Sequence, residues 1–265
     1  MMNHAPLFSK KILITRGARQ AKEMAASIEE LGGVPVTVPL LKLQKPVQHI
    51  EHIHNVLQNL MQYTWLVFTS QNGVKFFFDF LDTFKIDKES IKHQKIAVVG
   101  EKTKRLLTKY GFTPTLVPTE FIAEKLLAEL VSTLTTSDKV LLVRGNLSRP
   151  VLSNGLKEHE IETCDLVVYE TVPNEEVKEE LVTVMKSGEI DAVTFTSSSS
   201  VRFFTELLQA VDWKEQSKRC IIVCIGPITE RTAKKVGFTR CLTPQEYTTE
   251  GMIHLLVDRL SNEPF

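Results

Sequence analysis

The sequence predicts an α/β protein of two domains, each a parallel sheet with helices on both faces. Three observations carry that expectation. Short apolar runs alternate with segments of helical period along the whole chain. At 265 residues the chain is longer than one typical core requires. The second half also repeats the first. Thr64-Trp-Leu-Val-Phe-Thr-Ser70 reads again as Asp191-Ala-Val-Thr-Phe-Thr-Ser197, and Lys95-Ile-Ala-Val-Val-Gly100 as Ile221-Ile-Val-Cys-Ile-Gly226. The offset is 127 for Ser70/Ser197 and 126 for Gly100/Gly226, Gly111/Gly237, Pro118/Pro244 and Glu124/Glu250. Lys11–Gly17 matches Lys139–Gly145 at an offset of 128. A near-constant offset is the mark of duplication. Two similar units usually leave a cleft, and clefts between domains are where small ligands bind.

The elements follow in order. Lys11–Thr15 is the first strand, stopped by Arg16-Gly17. Ala21, Met24, Ala25, Ile28 and Leu31 recur at helical spacing, closed by Gly32-Gly33. Val34–Leu41 reads as a strand. Its prolines belong on an edge or at a strand start, so it is expected to cross between domains. His49–Met61 is a polar helix, Trp65–Thr69 a strand, and Val74, Phe77, Phe78 and Leu81 a helical stripe. Ile96–Val99 is a strand, followed by a helix through Leu106 and Leu107 that ends at Gly111. Thr115–Val117 is a short strand, then a helix runs through Leu126, Leu127 and Leu130. Strands near Val140–Val143, Asp165–Tyr169, Val193–Thr196, Ile221–Ile225 and Arg240–Leu242 complete the order. Strict alternation of strand and helix argues for parallel sheets.

Composition narrows the classes of function. Lys+Arg and Asp+Glu are 32 each, so no net charge draws the chain to nucleic acid or to an acidic membrane. No apolar run approaches the roughly 20 residues that span a bilayer. Met1–Lys11 holds no stretch of signal-peptide character, so a cytoplasmic protein is expected. Cys164, Cys220, Cys224 and Cys241 read as reduced core thiols, and no cysteine–histidine spacing suits zinc. His49, His52 and His54 read as a solvated helix face, and the phenylalanines of 76–84 as helix packing.

The chemistry is expected at the carboxyl ends of the strands, where open parallel sheets bind ligands. Those ends carry Thr69-Ser70-Gln71-Asn72-Gly73, Thr196-Ser197-Ser198-Ser199-Ser200, Gly100-Glu101-Lys102-Thr103 and Gly226-Pro227-Ile228-Thr229. Arg144 and Arg149 flank a further loop. Helix N-termini offer free N–H groups and the positive end of the dipole, and hydroxyls add donors. A single such loop is explained as well by helix capping. Four of them on one face favour an anion. No full G-x-G-x-x-G and no G-x-x-x-x-G-K-[ST] occurs, so neither a dinucleotide nor a nucleoside triphosphate is implied. Tyr169 ends a strand before Glu170-Thr171-Val172-Pro173. Either its hydroxyl faces a cleft or its ring packs an interface.

Thr15-Arg16, Phe68–Gly73, Val99–Thr103, Gly145-Asn146, Val168–Thr171, Phe195–Ser197 and Ile225–Thr229, in this order and spacing, resemble the uroporphyrinogen III synthase family. The resemblance covers nearly the whole chain after Lys10. Gly17 departs from it, since many relatives have proline there. The resemblance implies two flavodoxin-like domains joined by a two-stranded connector. One would hold residues 1–37 and 172–265, the other 40–168, with connectors near 34–41 and 166–173. It implies cyclisation of hydroxymethylbilane with loss of water and inversion of the last ring, without metal or cofactor, by a monomer. Tyr169 would then be catalytic. Thr69, Ser70, Thr103, Arg144, Arg149, Thr196, Ser197, Ser198, Gly226 and Thr229 would bind the carboxylate arms. The alternative is a non-catalytic two-domain module that binds or senses a polyanionic small molecule.

Overall fold

Two five-stranded sheets form the frame, and the computed structural model describes residues 5–261. In chain order the elements are β1 (Lys11–Ile14), α1 (Ala18–Glu30), β2 (Val34–Thr37), β3 (Leu41–Gln44), α2 (Ile50–Gln58), β4 (Trp65–Phe68), α3 (Gln71–Phe84), β5 (Lys95–Val98), α4 (Glu101–Lys109), α5 (Ala123–Thr133), β6 (Lys139–Gly145), α6 (Val151–Glu158), β7 (Glu162–Pro173), α7 (Lys178–Lys186), β8 (Ala192–Phe195), α8 (Ser198–Leu207), α9 (Trp213–Ser217), β9 (Ile221–Cys224), α10 (Pro227–Val236), β10 (Cys241–Leu242) and α11 (Thr249–Leu260).

The chain divides into two compact units. One comprises the residues up to Lys42 and from Val172, and the other Leu43–Thr171. The first holds the sheet β10-β9-β8-β1-β2, parallel at every junction. The sheet β3-β7-β6-β4-β5 lies mostly in the second, with β3 starting and β7 ending two residues outside its bounds and with β7, β6, β4 and β5 parallel. Leu116 extends that sheet by one parallel bridge to Ala97. Read from the same end, β2-β1-β8-β9-β10 and β7-β6-β4-β5-Leu116 are one topology used twice.

Parallel strands covered on both faces are mostly apolar, and β4, β8 and β9 are buried throughout, with the hydroxyl of Thr194 donating to Leu13 O at 3.0 Å. Alternation splits each between two cores. In the second unit Trp65 and Val67 join Ala97, Val140 and Leu142 under α5 and α6. Leu66 and Phe68 join Ile96, Val98, Leu141 and Val143 under α2 and α3. In the first unit Leu13, Val193, Phe195, Ile222 and Cys224 line one face, and Ile12, Ile14, Ala192 and Val223 the other. Each fully buried side chain of this kind contributes about 1.5–3 kcal/mol.

The helices start where the sequence supplies caps. Ser70 accepts from the Gly73 N–H at 3.0 Å, Ser197 from Ser200 at 3.1 Å and Thr248 from Gly251 at 3.0 Å. Pro227 opens α10 and Gly237, at φ +115°, closes it.

The structure departs from the sequence reading in three places. Val34–Leu41 is not one strand. Residues 34–37 form β2 at a sheet edge, where Pro35 is tolerated, and a new strand begins at Leu41. Thr115–Val117 contributes a single bridge, because Pro114 and Pro118 bracket it and remove ladder donors. The helix read from His49 begins at Ile50, with His49 at φ +66°, and buries Ile53, Val56 and Leu57. Among the described residues no helix is long and apolar enough to cross a membrane.

Candidate functional site at the strand ends

In the second unit the ends of β4, β5, β6 and β7 converge. β4 leads through Thr69 to Ser70, whose Oγ caps α3 and lies 3.2 Å from the Tyr169 hydroxyl. Tyr169 comes from β7 and is buried, its ring stacked on Phe76 with centroids 5.4 Å apart. It fits because β6 ends in glycine. A Cβ on Gly145 would lie 2.4 Å from Tyr169 Cζ and 2.7 Å from its hydroxyl oxygen. The register of β6 against β7 shifts between Arg144 and Gly145, which sets Gly145 beside Tyr169. Asn146 pins the same strand end. Its backbone N–H donates to Tyr169 O at 3.1 Å, and its Oδ1 accepts from the Thr171 N–H at 2.9 Å.

Two adjoining concavities open here and share Thr69, Val99 and Phe121. The larger, of about 480 Å³, is floored by Gly100 and Thr103 at the start of α4. The smaller, of about 250 Å³, is lined by Ser70, Arg144, Ser148 and Arg149. All the residues expected from this unit except Tyr169 therefore reach one hollow or the other, and Tyr169 lies directly behind Ser70. A larger groove of about 840 Å³ between α1 and α11 lies apart from the strand ends and holds none of the expected residues.

Electrostatics distinguish the two arginines. Arg144 is half-buried and holds Asp165 through two nitrogens, with Nη2 to Oδ2 at 2.7 Å. That hydrogen bond raises its pKa further against the cost of burial. Arg149 is exposed and meets Glu124 at 2.8 Å. The Glu124 carboxyl is held below its usual range by its own backbone N–H and by Arg149. Surface pairs of this kind are weak, so Arg149 exchanges partners at little cost.

The first unit repeats the arrangement. Thr196 follows β8, and Ser197 Oγ caps α8 while meeting Ser199 Oγ at 3.0 Å. Ser198 Oγ accepts from Thr232 Oγ1 at 2.8 Å, which ties α8 to α10. Gly226 caps α10 with φ −167°, as Gly100 caps α4 with φ −168°. Thr103 and Thr229 stand at the third position of those helices, 6% and 5% exposed. Arg16, at the end of β1, donates to Thr249 Oγ1 at 3.0 Å. Among the described residues no cluster of three or more metal-ligating side chains occurs.

Two residues at these sites escaped the sequence reading. Phe121 and Tyr247 stand against Gly100 and Gly226. Their separation is the 126 of the glycines, so the repeat itself carried the signal. Gly145 was noted for its place in the repeat, but its need to lack a side chain depends on Tyr169.

Comparison with known proteins agrees with this geometry. Residues 22–254 match the family described as "Uroporphyrinogen-III synthase HemD". A uroporphyrinogen-III synthase of Synechococcus elongatus is 26% identical over 264 residues, covering 95% of this chain and 96% of that one. The porphyrin biosynthesis protein HemD of Ruminiclostridium josui is 27% identical over 96% of this chain, which spans 49% of that protein's length. In fold, a crystallised uroporphyrinogen III synthase mutant of Thermus thermophilus superposes with a TM-score of 0.62 at 20% identity, covering 96% of this chain and 100% of that one. The chain belongs to the uroporphyrinogen-III synthase family, the cyclising enzymes of porphyrin biosynthesis.

Proposed function

We propose that this chain cyclises hydroxymethylbilane to uroporphyrinogen III, acting as a monomer in the cytoplasm. The observation that carries the chemistry is the contact of 3.2 Å between the Tyr169 hydroxyl and Ser70 Oγ at the wall of the smaller hollow. Ser70 Oγ already accepts from the Gly73 N–H. When Tyr169 donates to it as well, both serine lone pairs are used, and the serine hydrogen is left for the ligand.

In this reading Ser70 gives its proton to the departing hydroxyl of the substrate and takes the proton of Tyr169. The C–O bond breaks and its electrons leave with oxygen as water. The pyrrole nitrogen supplies the pair that makes the azafulvene cation. The last ring attacks through its substituted carbon, and the spiro intermediate fragments and recloses with that ring inverted. The proton released on closure restores Tyr169.

The remainder is binding. A substrate with a carboxylate on every side arm needs many donors, and Thr69, Thr103 and Arg149 in one unit supply them. Thr196, Ser197, Ser198, Thr229 and the N–H groups beyond Gly226 supply them in the other. Arg144 is kept by Asp165 and supports the wall of the hollow. Holding one folded geometry of the chain is the larger part of the task, because spontaneous closure proceeds without inversion.

The test is kinetic. Tyr169→Phe lowers kcat by about tenfold to a hundredfold with KM little changed. Ser70→Ala does the same, and the double variant loses no more than either alone, because the pair acts as a unit. An unchanged kcat in Tyr169→Phe removes Tyr169 from the chemistry.

A further inference from the structure

Phe121 is 58% exposed and Tyr247 60% exposed, in a protein whose other rings are mostly buried. They occupy equivalent places in the duplication, 126 residues apart, as Gly100 and Gly226 do. In each unit the ring leans over the glycine that caps the adjacent helix. A Cβ on Gly100 would lie 3.2 Å from Phe121 Cβ and 3.4 Å from its Cγ. One on Gly226 would lie 3.6 Å from Tyr247 Cγ. Both glycines have extended backbone that any residue adopts, and an added side chain would crowd the ring only at Gly100, whereas at Gly226 it would make ordinary contact.

A second, independent feature points to a ligand. Thr103 and Thr229 are 6% and 5% exposed, and their hydroxyls, which bond to no other described residue, keep contact with solvent. Thr103 lines the hollow of about 480 Å³ together with Phe121 and Gly100. A hydroxyl that meets solvent and no other protein group keeps its donor and acceptor for a ligand. A flat apolar wall beside a lone donor and a helix N-terminus suits a small aromatic ring that carries a carboxylate arm.

We infer that Phe121 and Tyr247 are stacking residues, each holding one pyrrole of the substrate by its face. The acid arm of that pyrrole turns toward the threonine hydroxyl and the helix N-terminus of the same unit. The inference rests on the function proposed above and adds the residues that orient the rings. Stacked rings are worth about 0.5–1.5 kcal/mol, which corresponds to about two- to tenfold in affinity.

The experiment measures turnover of hydroxymethylbilane and equilibrium binding of uroporphyrinogen III, kept reduced, for alanine, leucine and aromatic variants. Phe121→Ala and Tyr247→Ala each raise KM and Kd about two- to tenfold, with kcat and melting temperature unchanged. Phe121→Trp and Tyr247→Phe bind as the parent does. Phe121→Leu and Tyr247→Leu stay weak. Parent-like binding by either alanine variant overturns the inference. So does full rescue by leucine, or a melting temperature that falls in step with affinity. If the parent protein forms no type III isomer yet binds uroporphyrinogen III through these rings, the proposed function fails and the stacking assignment stands. If it forms type III isomer and the alanine variants bind normally, the reverse holds.

Discussion

At the strand ends of the second unit, the Tyr169 ring fills the space that an added Cβ on Gly145 would take. Tyr169 needs the space that Gly145 leaves, since an added Cβ would sit 2.4 Å from its ring. Gly145→Ala is therefore expected to cost about 1–3 kcal/mol by overpacking, read as a lower urea midpoint. It also displaces the Tyr169 hydroxyl from Ser70, so kcat falls beyond what the stability loss explains. The thiols make a separate prediction. Burial pushes Cys220 and Cys241 up to about 11 and Cys224 to about 12 from an ordinary 9.0. The folded state thus favours the protonated thiols. Their contribution to stability is complete below pH 9.0 and is lost as pH rises through about 11 to 12. Urea midpoints at pH 8 and 10 should show this loss, and their equality would contradict it. At pH 8 the half-buried Cys164 is expected to be alkylated first.

Matched serine caps hold one helix in each unit, Ser70 on α3 and Ser197 on α8. Replacing either by alanine should cost about 1 kcal/mol in unfolding measurements. Only Ser70→Ala should also remove the partner of Tyr169 and lower kcat, whereas Ser197→Ala should raise KM, so the two caps separate chemistry from binding. At this scale the sequence was most legible where burial is symmetric. Trp65–Phe68, Ala192–Phe195 and Ile221–Cys224 read as strands because every residue in them but Thr194 is apolar and all end up buried. Val34–Leu41 and Thr115–Val117 read less well. Proline removes ladder donors without saying whether the strand is split, shortened to a bridge or placed at an edge. The cap loops were visible from Thr69-Ser70, Gly100, Thr196-Ser197 and Gly226. Phe121 and Tyr247 are marked in the sequence only by their shared offset of 126, because an aromatic outside a periodic stripe otherwise looks like any loop residue.

Across the whole chain, one topology has been used twice with different connectivity. The unit Leu43–Thr171 is continuous in sequence and closes cores on both faces of its sheet. We expect a fragment of those residues to unfold cooperatively in urea, and a gradual, non-cooperative transition would contradict its independence. The other unit draws on both ends of the chain, so no single fragment supplies it. The duplication also explains why binding is spread. Each unit carries a glycine-capped helix, a buried threonine and an exposed ring, and no one substitution among them should abolish turnover. The central claim is that these units together cyclise a linear tetrapyrrole with inversion of its last ring. The most direct measurement generates hydroxymethylbilane in situ, oxidises the product and separates the isomers by chromatography. A dominant type III isomer above the spontaneous type I background is the result expected. Type I alone from folded protein would contradict the claim and leave a binding module in its place.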